Sequence, residues 1–187
     1  QKKIQAIAIT DHNEISGAIE LERIAPRWLK VIVGEEIRTS QGDVVGLFIK
    51  EKIQPDQEIG KTIDEIRKQN GLVLIPHPFD RLRHEVVGEV VLNQIKNKID
   101  AIEIFNSRNI FQADNEKANN WAKENNILAF VGSDAHFSQE LGKSIVKIAD
   151  FNSSVEFIKN LGNASFQTNK SSFFVHILTK FNKIIRK

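Results

Sequence analysis

Ile127-Leu-Ala-Phe-Val-Gly-Ser-Asp-Ala-His136 decides how the chain is read. Five apolar residues, Ile127 to Val131, have the length and composition of a buried strand, and Gly132-Ser133 ends it. Just beyond stand a carboxylate and an imidazole, Asp134 and His136, two positions apart. In a sheet covered on both faces, ligands bind at the carboxyl ends of strands. Side chains at i and i+2 of an extended segment point the same way, so both reach one ion or an adjacent pair. The bland alternative makes Asp134 a helix cap and His136 a surface residue.

Recurrence weighs against the bland alternative. Ile4-Gln-Ala-Ile-Ala-Ile-Thr-Asp-His12 is a second strand-like run, ending in Asp11 and His12. Leu72-Val-Leu-Ile-Pro-His77-Pro78 is a third, and Leu29-Lys-Val-Ile-Val-Gly-Glu-Glu36 a fourth that ends on paired carboxylates. Core packing alone gives no reason for His, Asp or Glu to follow each of these runs.

Between these runs lie segments of helical spacing. Asn13 to Ala25 carries Ile15, Ala18, Ile19, Leu21 and Ile24 and is closed by Pro26; Ile59 to Gln69 carries Ile59, Ile63 and Ile66, with Asn70-Gly71 as its stop. Val86 to Ile95, Phe111 to Asn125 and Ser153 to Leu161 read as further helices, and Val44 to Ile49, Ala101 to Phe105 and Ser144 to Ala149 as further strands. This alternation predicts an α/β fold with a mostly parallel sheet, and the strand-end chemistry favours a barrel over an open sheet.

With 187 residues, 41% hydrophobic and 27% charged, the chain is long enough for one domain with a sizeable core. A net charge of +2 is no argument for nucleic-acid binding by the whole molecule. The absence of cysteine excludes disulfides and thiolate metal sites and suits a cytoplasmic protein. No apolar run reaches membrane-spanning length. The chain has no methionine and enters its first strand at residue 4, so we expect a sequence cut at its amino end.

Familiar catalytic motifs fail on inspection: Pro55 stands where a phosphate-binding loop before Gly60-Lys61-Thr62 needs glycine, and Gly88 where a zinc-protease helix starting at His84-Glu85 needs histidine. What remains is His12, Glu35, Glu36, His77, Asp134 and His136. Imidazole and carboxylate without sulfur suit Mn, Fe or Zn, and two adjacent ions favour phosphoester hydrolysis.

Ile7-Ala-Ile-Thr-Asp-His12, Gly34-Glu-Glu-Ile37, Ile75-Pro-His77-Pro78 and Gly132-Ser-Asp-Ala-His136 resemble, in order and spacing, the motifs of the polymerase and histidinol phosphatase (PHP) domain family, over residues 4 to about 150. The resemblance implies a distorted (β/α)7-type barrel holding two or three divalent metal ions. Carried onto the matching residues, it makes Glu36 the carboxylate bridging two metals, Asp134 a ligand of the first and His77 a ligand of the second. His12 and His136 become ligands of the third, and catalysis rests on Glu36 and Asp134. Arg81 and Arg108 follow strand ends and are candidates for binding substrate phosphate, with surface salt bridges as the competing reading.

The chain departs from the pattern twice. The family's opening His-x-His strand is not in these 187 residues, so the expected barrel lacks its first strand and turnover by this chain is expected to be impaired. Asp43 stands where many members carry histidine, and is either a harder ligand or a turn residue. Glu35, beside Glu36, reads as a supporting or solvated carboxylate, and Glu103 faces either the barrel interior or a helix.

The expected protein is therefore a metal-dependent hydrolase domain over residues 1–165, followed over 166–187 by a basic amphipathic helix. It hydrolyses a phosphate mono- or diester, in a phosphorylated small molecule or an oligonucleotide, by a metal-activated water. Two other readings compete: a non-catalytic PHP module serving as a structural or binding domain, and an amidohydrolase-like hydrolase. In the tail, Phe174, Ile177, Leu178, Phe181, Ile184 and Ile185 fall at helical spacing, with Lys180, Lys183, Arg186 and Lys187 near the end. Docking on the chain's own barrel competes there with contact to an anionic membrane or to nucleic acid.

Overall fold

Alternating apolar side chains give each strand two faces, and the two faces have different partners. The structure, a computed structural model, describes residues 4–172 and 175. Strands β1 (Ala6–Ile9), β2 (Lys30–Thr39), β3 (Gly42–Leu47), β4 (Leu72–Ile75), β5 (Ala101–Asn106) and β6 (Leu128–Gly132) form a six-stranded sheet in sequence order, curled as half a barrel. Helices α1 (Ser16–Ile24), α2 (Ile59–Lys68), α3 (Gly88–Ile95) and α4 (Gln112–Glu124) all pack on one face. Ala18, Ile63, Ile66, Leu92 and Trp121 meet Val33, Ile37, Val73, Ile75 and Ile102 there. The intervening strand residues Ile32, Val45, Leu72 and Leu74 face the other way, into a second core closed by Phe151 and by Phe157 and Leu161 of α5 (Ser154–Leu161).

The sheet is less parallel than expected. β1–β2, β4–β5 and β5–β6 pair in parallel, whereas β2–β3 and β3–β4 are antiparallel. The cause is local: Ser40-Gln41 hands the chain from β2 straight into β3, and a parallel partner needs a long crossover instead. Gly42 begins β3 at φ +117°, and a Cβ there would lie 2.5 Å from the Val87 nitrogen, so only glycine fits. β2 also runs through the glutamate pair to Thr39 rather than ending on it.

β7 (Ser144–Lys147) pairs antiparallel with β8 (Ser165–Thr168), which crosses the line expected between hydrolase domain and tail. Most of the predicted amphipathic helix of 171–187 lies outside the described residues. Among the described residues no helix is long and apolar enough to cross a membrane.

Ile66 is fully buried between α2 and the sheet. Ile66→Val is expected to cost about 0.5–1.5 kcal/mol in denaturant unfolding, the usual loss for one buried methyl.

Candidate metal centre

The site grows out of strand pairing. β1 and β2 pair in parallel at a constant offset, Ile9 opposite Val33, and the same offset continues past β1 to a bridge between His12 and Glu36. The Glu36 nitrogen donates to the Asp11 carbonyl at 3.2 Å, and the Asn13 nitrogen to the Glu36 carbonyl at 2.9 Å. The two side chains therefore share a face, with His12 Nδ1 3.7 Å from Glu36 Oε2. Across the hairpin, Glu36 lies opposite Val45 and Arg38 opposite Asp43, which sets Asp43 diagonally beside Glu36 on that same face. One donor atom each from His12, Glu36 and Asp43 lie within 4.8 Å of one another.

His77 enters from the end of β4. Its backbone takes φ +27°, a conformation costing roughly 1–3 kcal/mol for a residue with a side chain. The buried Glu103 carboxylate holds it there, accepting from the His77 nitrogen at 2.7 Å. His77 Nε2 then lies 2.9 Å from Glu36 Oε1, so Glu36 turns one oxygen to each of two imidazoles. Burial disfavours the imidazolium, but the Glu36 carboxylate outweighs this and the His77 pKa stands above its ordinary value.

The third component follows β6. Asp134 has φ +48°, so Asp134 and His136 meet across a turn rather than along the extended segment the sequence suggested. His136 Nδ1 is 3.5 Å from Asp134 Oδ1, and the His136 and His12 rings are 6.3 Å apart, which brings the two groups of candidate ligands side by side. Asp134 Oδ2 accepts from Asn106 Nδ2 at 3.3 Å and from the Arg83 guanidinium. Burial opposes the charge on Asp134, yet Arg83 first, then His77 and His136, hold its carboxyl down at about 2.

The donor set fits a divalent cation on two observations. Asp43 Oδ1 and His77 Nδ1 are buried without a hydrogen-bond partner. Burial, with the Glu36 carboxylate beside it, pushes the Asp43 carboxyl up to about 6, the signature of a carboxylate short of positive charge. His77 Nε2 in addition faces both Glu36 Oε1 and, at 3.1 Å, an Arg83 nitrogen. One ring nitrogen cannot donate to a carboxylate and accept from a guanidinium at once.

All five expected ligands, His12, Glu36, His77, Asp134 and His136, come together here, and Asp43 joins them. Glu35 does not: alternation sends it to the helix-covered face, where it is fully buried rather than solvated and accepts from the Ile53 nitrogen at 2.9 Å. Glu103 faces the site, not a helix. It lies at a bulge in β5, buried, with burial pushing its pKa up to about 7. Arg81 pairs with Asp114 at 2.6 Å and stacks on Phe111. Arg108 is buried and faces Glu140 at 3.5 Å. Glu140 in turn accepts from the His136 and Phe137 nitrogens at 3.0 and 3.2 Å, so this pair braces the His136 loop.

Sequence reading missed Arg83, Asp80, Asn106 and Glu140. Arg83 lies in the same loop as His77 and Arg81, and nothing in Arg81-Leu-Arg83 tells which arginine turns inward.

Comparison with known proteins bears on the fold and the family. The PHP-associated family model matches residues 112–165, the segment running from α4 through Asp134 and His136 to α5. Uncharacterized protein MJ0417 of Methanocaldococcus jannaschii is 32% identical over 154 residues, covering 81% of this chain. The chain spans 61% of that relative's length. PsfC from Pseudomonas syringae superposes with a TM-score of 0.70 at 13% identity, covering 98% of this chain and 84% of its own. A two-domain protein from Bacteroides vulgatus, containing a predicted PHP-like metal-dependent phosphoesterase, superposes with a TM-score of 0.58 at 16% identity, over 88% of this chain and 56% of its own. Segments bearing the candidate ligands in the family's order, a half-barrel that delivers them to one site, and the PHP-associated model over the last motif support assigning this chain to the PHP-domain family.

Proposed function

We propose that the chain is the hydrolase domain of a metal-dependent phosphoesterase, part of a (β/α)7-type barrel, acting on a phosphate mono- or diester with two or three Mn, Fe or Zn ions. The observation that carries this is Glu36, which points its two oxygens at separate imidazoles, His77 and His12, with Asp43 beside the second. A carboxylate so placed would be available to cations held on either side of it. Divalent ions held by these donors supply Lewis-acid charge to a phosphoryl oxygen and lower the pKa of a water.

The chain's own residues do the rest. The apolar floor of Ile32, Val45, Leu72 and Leu74 lowers the local dielectric beneath the site, so each charge there acts more strongly. Asn106 and the Arg108–Glu140 pair fix Asp134 and His136 in place. Arg81, on the loop beyond His77 and with its side chain 55% exposed, is better placed than the buried Arg108 to reach a phosphate.

Elemental analysis after mild purification is expected to find Mn, Fe or Zn at more than one ion per chain. The loaded chain should release phosphate from 4-nitrophenyl phosphate, weakly, and leave an anilide analogue intact. A metal-free preparation with the same turnover overturns the reading, and anilide hydrolysis in its place makes the chain amidohydrolase-like. Asp43→Ala should weaken divalent binding by about tenfold or more, and Asp43→His should restore it. If both variants bind as the wild type does, Asp43 is a turn residue only.

A further inference from the structure

The Arg83 guanidinium sits among the donor atoms rather than beside them. Its Nε is 3.1 Å from Asp80 Oδ2, one terminal nitrogen is 3.1 Å from His77 Nε2, and the other donates to Asp134 Oδ2. The Arg83 side chain is only 22% exposed and Asp80 is buried, so this is an internal fork and not a surface ion pair. Burial works against the cation, but Asp134, Glu36 and Asp80 around it outweigh that and raise its pKa above the ordinary arginine value.

Counting lone pairs gives the consequence. In the neutral tautomer of His77 protonated on Nδ1, the tautomer able to ligate through Nε2, that nitrogen has one lone pair, and accepting from Arg83 uses it. Asp134 Oδ2 has two, taken by Arg83 and by Asn106 Nδ2. A divalent ion that takes His77 Nε2 or Asp134 Oδ2 as a ligand would therefore need an electron pair that Arg83 holds. Among the described residues, no guanidinium stands in this way at the position formed by His12, Glu36 and Asp43: Asp43 Oδ1 has no hydrogen-bond partner, and the two Glu36 oxygens face the two imidazoles.

We propose that Arg83 is a built-in competitor for one of two metal positions: an ion gains His77 and Asp134 as ligands only as the guanidinium leaves, while the His12–Glu36–Asp43 position fills without that exchange. The inference rests on the metal-centre reading and adds an order of filling to it. The exchange conserves the sign of charge at the two carboxylates: a monovalent fork is replaced by a divalent ion, and Asp80 keeps Arg83 tethered as it moves aside. An arrangement of this kind weakens the apparent affinity of the contested position by the fraction of time the guanidinium occupies it.

Mn2+ titration calorimetry on the 187-residue chain tests this, with no dependence on turnover. The wild type is expected to show two classes of site. Arg83→Gln should tighten the weaker class by about tenfold, the relief expected when a competitor present nine-tenths of the time is removed, and leave the tighter class unchanged. Arg81→Gln, which removes the same charge from the same loop but not from the fork, should change neither class. Arg83→Lys, which keeps a charge but cannot bridge His77 and Asp134, should fall between and guards against a folding defect in the glutamine variant. Zn2+ should also raise amide exchange over residues 80–87 of the wild type. Unchanged or weaker binding by Arg83→Gln and Arg83→Lys overturns the competition while leaving the metal centre standing. Equal tightening by Arg81→Gln also overturns it, reducing the effect to bulk charge. If neither wild type nor variants bind Mn2+, the metal-centre reading falls, and this one with it.

Discussion

Glu36→Gln is expected to leave the fold standing and to weaken divalent-metal binding by about a hundredfold, with phosphate release falling to the uncatalysed level. The backbone of Glu36 stays paired to Asp11, Asn13 and Val45, none of which involves its side chain. What changes is the group between His12 and His77. A glutamine is the same size but neutral, and it keeps one acceptor oxygen where the carboxylate has two. Its amide nitrogen must face one of the imidazoles, which removes a ligand atom from that side and the charge from both. Cations held here on the proposed reading would thus lose both a carboxylate oxygen and the charge that offsets theirs. Glu35→Gln is the internal control, since it changes a buried neighbour on the opposite face of β2. Burial already favours the protonated form of Glu35, so its amide should be tolerated. Calorimetric Mn2+ titration of both variants checks the pair. Loss of metal in Glu35→Gln with full retention in Glu36→Gln would reverse the assignment.

How far the sequence could be read depended on whether a residue's role was set by its neighbours in the chain. Leu72–Ile75 reads as a strand to the residue because four apolar side chains are buried on both faces. Ile59–Lys68 reads as a helix because Ile59, Ile63 and Ile66 repeat at its period. β2 was read too short because Gly34, Glu35 and Glu36 look like the end of a strand. The hairpin with β3 carries the pairing on through them, and one glutamate is buried on each face. β8 went unread because Ser165-Phe-Gln-Thr168 is short, polar and mostly exposed, and is a strand only through β7. The candidate ligands were legible because each follows an apolar run. Their supports were not: Arg83 meets Asp134 from 51 residues away and Arg108 meets Glu140 from 32, and no local pattern marks such partners. Asp134 and His136 were paired correctly but for the wrong reason, since the left-handed backbone of Asp134, not strand alternation, brings them together.

The second large effect is expected at a residue with no chemistry of its own. Gly132 ends β6, and a Cβ built on it would lie 2.1 Å from Glu103 Oε1. A clash with the tip of a free side chain is relieved by rotation. Glu103 is not free: its other oxygen accepts from the His77 nitrogen at 2.7 Å and from Asn106 Nδ2 at 3.1 Å. Any movement away from Gly132 therefore pulls on the strained backbone of His77 and on the Asn106 side chain that also holds Asp134. Gly132→Ala should cost about 1–3 kcal/mol in stability, the usual range for overpacking a buried site. It should also weaken metal binding by about tenfold, as losses of ligand support do. Glu103→Asp shortens the side chain by one methylene and makes the space that the new methyl needs, though its carboxylate then reaches His77 less well. The double variant is accordingly expected to be more stable than Gly132→Ala alone, a coupling that distant, independent sites do not show. Urea unfolding and Mn2+ titration of the two single variants and the double variant complete the cycle. Strict additivity, or a Gly132→Ala protein as stable as the wild type, would show that Glu103 has room to move and that His77 is held by something else.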